Sequence, residues 1–361
     1  MNLNVLLPLL SSVLSFGFGA MVLDQWLRRR QPYQLVWTIG LLWYGIGAGI
    51  EAVGGWTGWN ETLYRGWYLF GAFGVASSLG LGTVYLLSRT RFGYFVAVSF
   101  GAAALFSFLT SVRYAREGTP ASDLTVALIV GVCVVAAVAI ALATRFARAW
   151  VGHLAAAVLV LGWLTAAIAT LSAEVAAPGY ALADNGVPIG SAMPADLRIL
   201  TPPFNIVGAF ALVFGAVYSA FIFMPKHRLL RPTTDAPIIG PAVRGVAVAV
   251  NFVASIPLAW RALRQGTLNS RVPATILIAL GGFIPGWTDG LARFGVTGAF
   301  FIGQLLGVIL IFLGFLVSIE VFSDVRLPFT RIVLRRRDGP SGHDRGGSLR
   351  AVRSADTAEV R

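Results

Sequence analysis

Long apolar runs, nearly all bounded by arginine on alternate sides, are the feature that most constrains this chain. Stretches of about 17–25 apolar residues, the length that crosses a ~30 Å hydrocarbon core, fall at 5–27, 33–54, 66–88, 92–112, 123–144, 150–172, 203–224, 273–292 and 296–320. A tenth stretch, 243–260, is apolar enough to cross, but it contains Pro257 and is flanked by Arg244, Arg261 and Arg264. The expected fold is all-α, a polytopic helical membrane bundle of nine transmembrane helices plus one interfacial or re-entrant helix, with ten spans as the alternative.

Charge separates the two topologies, because cytoplasmic loops retain Lys and Arg while translocated loops are depleted of them. With nine spans and the N-terminus outside, 23 of the 28 basic residues fall on inner segments; Arg65, Arg113, Arg116, Arg198 and Arg293 remain outside. If 243–260 crosses, then Arg261, Arg264, Arg271 and the whole basic tail move outside, so nine spans are preferred. The expected location is a bacterial plasma membrane, with the C-terminus cytoplasmic.

Composition agrees: 57% hydrophobic, 12% charged and a mean hydropathy of +0.76 leave no room for a large soluble domain. The first 27 residues lack Lys and Arg, so the first run reads as a span and not as a cleaved signal. A net charge of +12 suggests nucleic acid until its position is considered. Most of it lines the inner face, where it would attract anionic lipid headgroups at about 1 kcal/mol per Lys or Arg. The expected partners are therefore the bilayer and a small solute, with no nucleic acid.

Four regions follow. Residues 1–224 form a seven-helix bundle whose one long connection, 173–202, reads as an outer cap. Residues 225–272 are a basic cytoplasmic segment holding the ambiguous helix, 273–325 are a closing pair of spans, and 326–361 are a disordered basic tail, rich in Arg, Gly, Ser and Asp. Gly45 and Gly49, and Gly303 and Gly307, have GxxxG spacing and read as helix-packing positions.

Chemistry is sparse. Glu51 is the most informative acid, since a carboxylate inside a span costs a few kcal/mol unless it faces a cavity or finds a partner. Two readings stay open for it: an interfacial side chain hydrated or paired with Arg65, or a group that binds a cation or proton. Residues 280–294 interrupt a span with Gly281, Gly282, Pro285 and Gly286. Pro285 removes a donor and frees local carbonyls, either as in the broken helices that line transporter sites or as an ordinary membrane-helix kink, and both readings stay open. Asp289 and Arg293 stand four apart and would pair on one helix face. With Trp287 they join Glu51 and Arg65 as candidate substrate-binding residues around an outward-facing polar pocket. Trp56, Trp59, Tyr64, Trp67 and Tyr68 read as an interfacial aromatic belt.

Several classes of activity are excluded or unsupported. The single Lys226 follows the end of a span, so a retinal Schiff base has no mid-membrane amine. His153, His227 and His343 are isolated, and lone Cys133 permits neither a disulfide nor a paired-cysteine metal site. No cofactor and no catalytic group are expected. Glycine-serine elbows and Walker loops are missing from the sequence.

The stretch Trp37 to Leu87, with Glu51, Trp59-Asn60, Leu63-Tyr64-Arg65, Trp67-Tyr68-Leu69 and Gly80-Leu81-Gly82-Thr83-Val84-Tyr85-Leu86-Leu87, resembles uncharacterised polytopic membrane proteins of GC-rich bacteria. Arg271-Val272-Pro273-Ala274-Thr275 and Arg293-Phe294-Gly295-Val296-Thr297 carry the same resemblance, which implies no particular activity. The first seven spans are also similar, more faintly, to the seven-helix input modules of bacterial sensor kinases, although no transmitter domain follows the last span. The sequence therefore points to a transporter-like carrier of a small solute. The alternative is a seven-helix-receptor-like sensor or membrane assembly subunit without transport or catalysis.

Overall fold

The computed structural model describes residues 3–231, 239–293 and 299–317, with 325–326, 328–329 and 333–335 beyond them. The chain folds as a helical membrane bundle. Its elements are α1 (Leu3–Arg29), α2 (Pro32–Thr57), α3 (Glu61–Trp67), a π-helical segment (Tyr68–Val75), α4 (Ala76–Leu87), α5 (Gly93–Arg116), α6 (Asp123–Phe146), α7 (Val151–Ser172), the single turn α8 (Ala195–Arg198), α9 (Thr201–Phe223), α10 (Ile239–Arg264), α11 (Arg271–Arg293) and α12 (Phe300–Val317). The third span runs through α3, the π segment and α4 without a break.

Local chemistry sets several boundaries. Pro32 occupies the first turn of α2, and Gly58 ends that helix at φ 92°, a conformation that costs residues with a Cβ more than it costs glycine. Asn60 and Ser122 cap α3 and α6, their side chains accepting from the backbone N–H groups of Leu63 and Thr125.

Burial follows the logic of lipid. Along α6 the exposed side is Leu124, Leu128, Val132, Val135, Val138 and Leu142, whereas the buried side is Ile129, Cys133, Ala136, Ile140 and Ala143. Large aliphatic residues lose nothing by facing acyl chains, and small ones let helices approach closely. Helices α4 and α9 approach closely, so that a Cβ on Gly208 would overlap the Ala76 carbonyl and one on Gly80 would overlap the Gly208 backbone. The GxxxG positions do the same work: Phe16 fills the space over Gly45, Gly303 admits Thr288, and Gly307 admits the Pro285 ring.

Residues 173–200 pack as a cap over one end of the bundle. Val187, Met193, Leu197 and Ile199 are buried there, and Val187 clusters with Phe300 and Phe301. The cap is held by Asn4 Nδ2 donating to the Asn185 carbonyl (2.5 Å), by the Ser122 N–H donating to Asp196 Oδ1 (2.8 Å), and by Arg198 lying 4.0 Å over the Tyr114 ring.

The opposite end is basic. Alternation of the helices brings Arg28, Arg29, Arg89, Arg91, Arg145 and Arg148 to it. Helix α9 also stops there and α11 starts there: Arg271 lies 4.4 Å over Phe223, Val272 packs with Ala220 and Met224, and Gly282 faces Leu212. Antiparallel neighbours joined at one end leave no net crossing for α10. Its middle is tied to the same end by the His227 N–H donating to Ser255 Oγ (2.8 Å) and the Leu229 and Leu230 N–H groups donating to Asn251 Oδ1 (2.8 and 3.0 Å). By length and composition alone, nine helices among the described residues can cross a bilayer, a set that includes Val246–Arg264 and leaves out Arg271–Arg293. The packing decides otherwise. Helix α11 runs antiparallel between α9 and α12, while α10 rests at the basic end with Val246, Val253, Ile256, Trp260 and Leu263 exposed along one side.

The span over 280–293 is not broken: α11 is continuous through Pro285, because Gly307 leaves room for the ring and Thr288 Oγ1 donates to the Ile284 and Pro285 carbonyls (both 3.1 Å). The tail, expected to be disordered from 326, begins with a two-stranded antiparallel ladder pairing Val325 with Arg335 and Arg326 with Val333. Residues 336–361 lie outside the described residues.

Candidate functional site: a buried carboxylate between three spans

Glu51 sits two turns before the end of α2 and is only 2% exposed. Its Oε1 accepts two hydrogen bonds, from Trp67 Nε1 (2.9 Å) and from Gln304 Nε2 (3.1 Å). Three spans thus meet on one oxygen. Tyr44, two turns earlier on α2, donates its hydroxyl to the Gln304 carbonyl (2.7 Å) and so fixes α12 against α2.

The backbone around the site explains its geometry. Trp67 is the last residue of α3 and immediately precedes the π segment, whose wider turns are uncommon and concentrate at functional positions. Gly71 in that segment faces Gly47 of α2 with no side chain between them. Asn205 of α9 donates Nδ2 to the Ala72 carbonyl (3.0 Å), satisfying an acceptor within the unusual turn.

Two buried atoms of the cluster have no hydrogen-bond partner: Glu51 Oε2 and the side-chain oxygen of Gln304. Hydrogen bonds to a charged group are worth about 1.5–3 kcal/mol each, but both donors here reach the same oxygen, and Oε2 remains unserved. Both unpaired atoms are acceptors. Asp289 of α11, half-buried, lies close enough for its charge to act on Glu51. The site is therefore electron-rich, and it suits a proton, a cation or a hydrogen-bond donor in preference to an anion.

Of the residues singled out from sequence, the fold brings Glu51 and Asp289 into electrostatic range and places Arg65 and Trp287 elsewhere. Arg65 does not pair with Glu51. Its Nε and Nη2 donate to Glu61 Oε1 (2.8 and 2.5 Å), and the same guanidinium bonds the Thr170 and Ala173 carbonyls at the end of α7 (2.6 Å to Ala173), where a cation complements the helix dipole. Trp287 is 59% exposed and stacks on Phe283 with ring centroids 5.8 Å apart, on the outer side of α11. Arg293 is the last residue of α11, and its side chain, with any pairing to Asp289, lies outside the described residues. The expected aromatic belt divides. Trp56 is 81% exposed, whereas Tyr64 is fully buried, with its hydroxyl on the Ile189 carbonyl, and Trp67 serves Glu51.

Gln304, Tyr44 and the π segment went unread in the sequence. Gln304 had a usable signal, being the one polar side chain apart from glycine positions in the Phe300–Val317 run. Two apolar clefts elsewhere do not touch the site: one of about 420 Å³ between Leu229 and α10, and one of about 520 Å³ between α6 and α7. No family model, curated protein or solved structure matches the chain.

Proposed function

We propose that this multi-pass membrane protein is a carrier for a small solute and that the Glu51 cluster is its binding centre. The carrying observation is a carboxylate 2% exposed whose Oε2 is unpaired beside the equally unpaired side-chain oxygen of Gln304. An arrangement with only acceptors to offer favours a solute that brings donors, such as a primary ammonium. Its position at the junction of α2, the π segment and α12, with Asp289 of the proline-bearing α11 nearby, supports coupling between occupancy and helix movement.

The proposed setting is a bacterial plasma membrane with the capped end outside and the basic end on anionic lipid. The many arginines at that end support it through the tendency of cytoplasmic segments to retain positive charge. A sensing or assembly role has no comparable observation in its favour.

The test is flux into liposomes of the purified full chain, using short primary amines and an alkyl sulfonate of equal length as the anionic control. Amine movement is expected without sulfonate movement, and Glu51→Gln is expected to slow it about tenfold or more, the effect of ~1.4 kcal/mol, at an unchanged melting temperature. Wild-type flux in Glu51→Gln removes the residue from the mechanism, and no flux of any amine counts against a carrier.

A further inference from the structure

The hydrogen-bond arrangement at Glu51 carries a more specific statement, which rests on the reading of this cluster as the binding centre. Both donors that reach the carboxylate, Trp67 Nε1 and Gln304 Nε2, converge on Oε1. Oε2 is buried and has no hydrogen-bond partner. An ionised carboxylate spreads its charge over two equivalent oxygens, so two donors on one and none on the other is a poor solvation of the anion. The same arrangement suits a neutral carboxyl group, with Oε1 as the carbonyl acceptor and Oε2 as the hydroxyl. A hydroxyl at Oε2 needs an acceptor, and the unpaired oxygen of Gln304 belongs to the same amide that already contacts Oε1.

We propose that Glu51 Oε2 is a proton-binding site, and that the proton it takes up is exchanged for the positively charged solute. Uptake forms one O–H bond at Oε2 with a proton from water, and release returns that proton to water. No electron transfer is involved. Among the described residues, the titratable group whose charge acts on Glu51 is Asp289 on α11; Tyr44, on Glu51's own helix, is hydrogen-bonded to the Gln304 carbonyl. The α12 side chain at the site, Gln304, and the α3 side chain, Trp67, do not titrate. Among the described ion pairs none involves Glu51, and Arg65, the basic residue expected to reach it, is committed to Glu61 and the end of α7. Charge at this position is therefore removed most directly by a proton, and a solute ammonium would compete with that proton for the same oxygen.

Infrared difference spectroscopy of the full chain in lipid reads protonation without requiring transport. Titration from acid to alkaline pH in choline buffer is expected to reveal a protonated-carboxyl C=O stretch that is lost in Glu51→Gln. In Trp67→Phe the band is expected to persist at higher frequency, because Oε1 then accepts one bond in place of two. That variant keeps the test sharp even if Glu51→Gln fails to fold. A titration with no such Glu51-dependent band overturns the proposal. So does a band that stays at the wild-type frequency in Trp67→Phe, or one abolished by exchanging choline for sodium at fixed pH, which would make a metal ion the occupant. The two readings fail separately: amine flux without the band leaves the carrier and removes the proton, whereas the band without flux leaves a proton site and removes the carrier.

Discussion

A charged side chain near the membrane is judged by what it touches, and the two acids closest to Arg65 in sequence, Glu51 and Glu61, illustrate opposite outcomes. Glu61 is half-exposed, at 53% of its side-chain surface, and pairs with Arg65 across one helical turn. Exposed pairs of this kind are worth at most about 1 kcal/mol. Arg65 also holds two carbonyls at the end of α7, and a charge-assisted bond to a group without another partner is worth about 1.5–3 kcal/mol. Substitution should therefore be asymmetric: Glu61→Gln is expected to leave thermal stability in detergent within ~1 kcal/mol of wild type, while Arg65→Gln lowers it by roughly 2–4 kcal/mol. Equal losses would mean that the α7 contacts contribute nothing. At this scale the sequence disclosed Glu51, because an acid in an apolar run is conspicuous. It could not disclose the partners, because Trp67 and Gln304 lie 16 and 253 residues away and only helix packing unites them.

Helices were the most legible level. The apolar runs 33–54, 203–224 and 273–292 correspond to helices Pro32–Thr57, Thr201–Phe223 and Arg271–Arg293, since hydrocarbon thickness sets length and composition marks it. The π segment was not legible, as its longer repeat has no compositional signature. Which reading of Pro285 holds was not legible, because its accommodation depends on Gly307, on another helix. Helix α10 stayed ambiguous for a physical reason: one side of it is as apolar as a span, and its ties through Asn251, Phe252 and Ser255 are matters of contact. Asn251 binds the Leu229 and Leu230 backbone through three hydrogen bonds. Asn251→Ala should therefore release residues 227–231, seen as faster amide hydrogen exchange at Leu229 and Leu230, with exchange in α2 and α12 unchanged. Wild-type exchange at those two amides would contradict the docking.

At the scale of the molecule, the bundle has two unlike ends. The cap, Glu51 and the start of α12 lie toward one, whereas the arginine-rich turns, α10 and the start of α11 lie at the other. The cap was legible as a long loop, and the division of charge was legible from counting. That α9 and α11 share an end was not, because it is a matter of contact between Arg271 and Phe223. The most direct measurement places single cysteines at the exposed positions Asp184→Cys in the cap and Gln265→Cys after α10, in a Cys133→Ala background, and exposes intact cells to a membrane-impermeant thiol reagent. Labelling at 184 with protection at 265 until the membrane is opened is the predicted result. Labelling of both positions from outside would give α10 a full crossing and contradict the two-ended arrangement on which the proposed carrier rests.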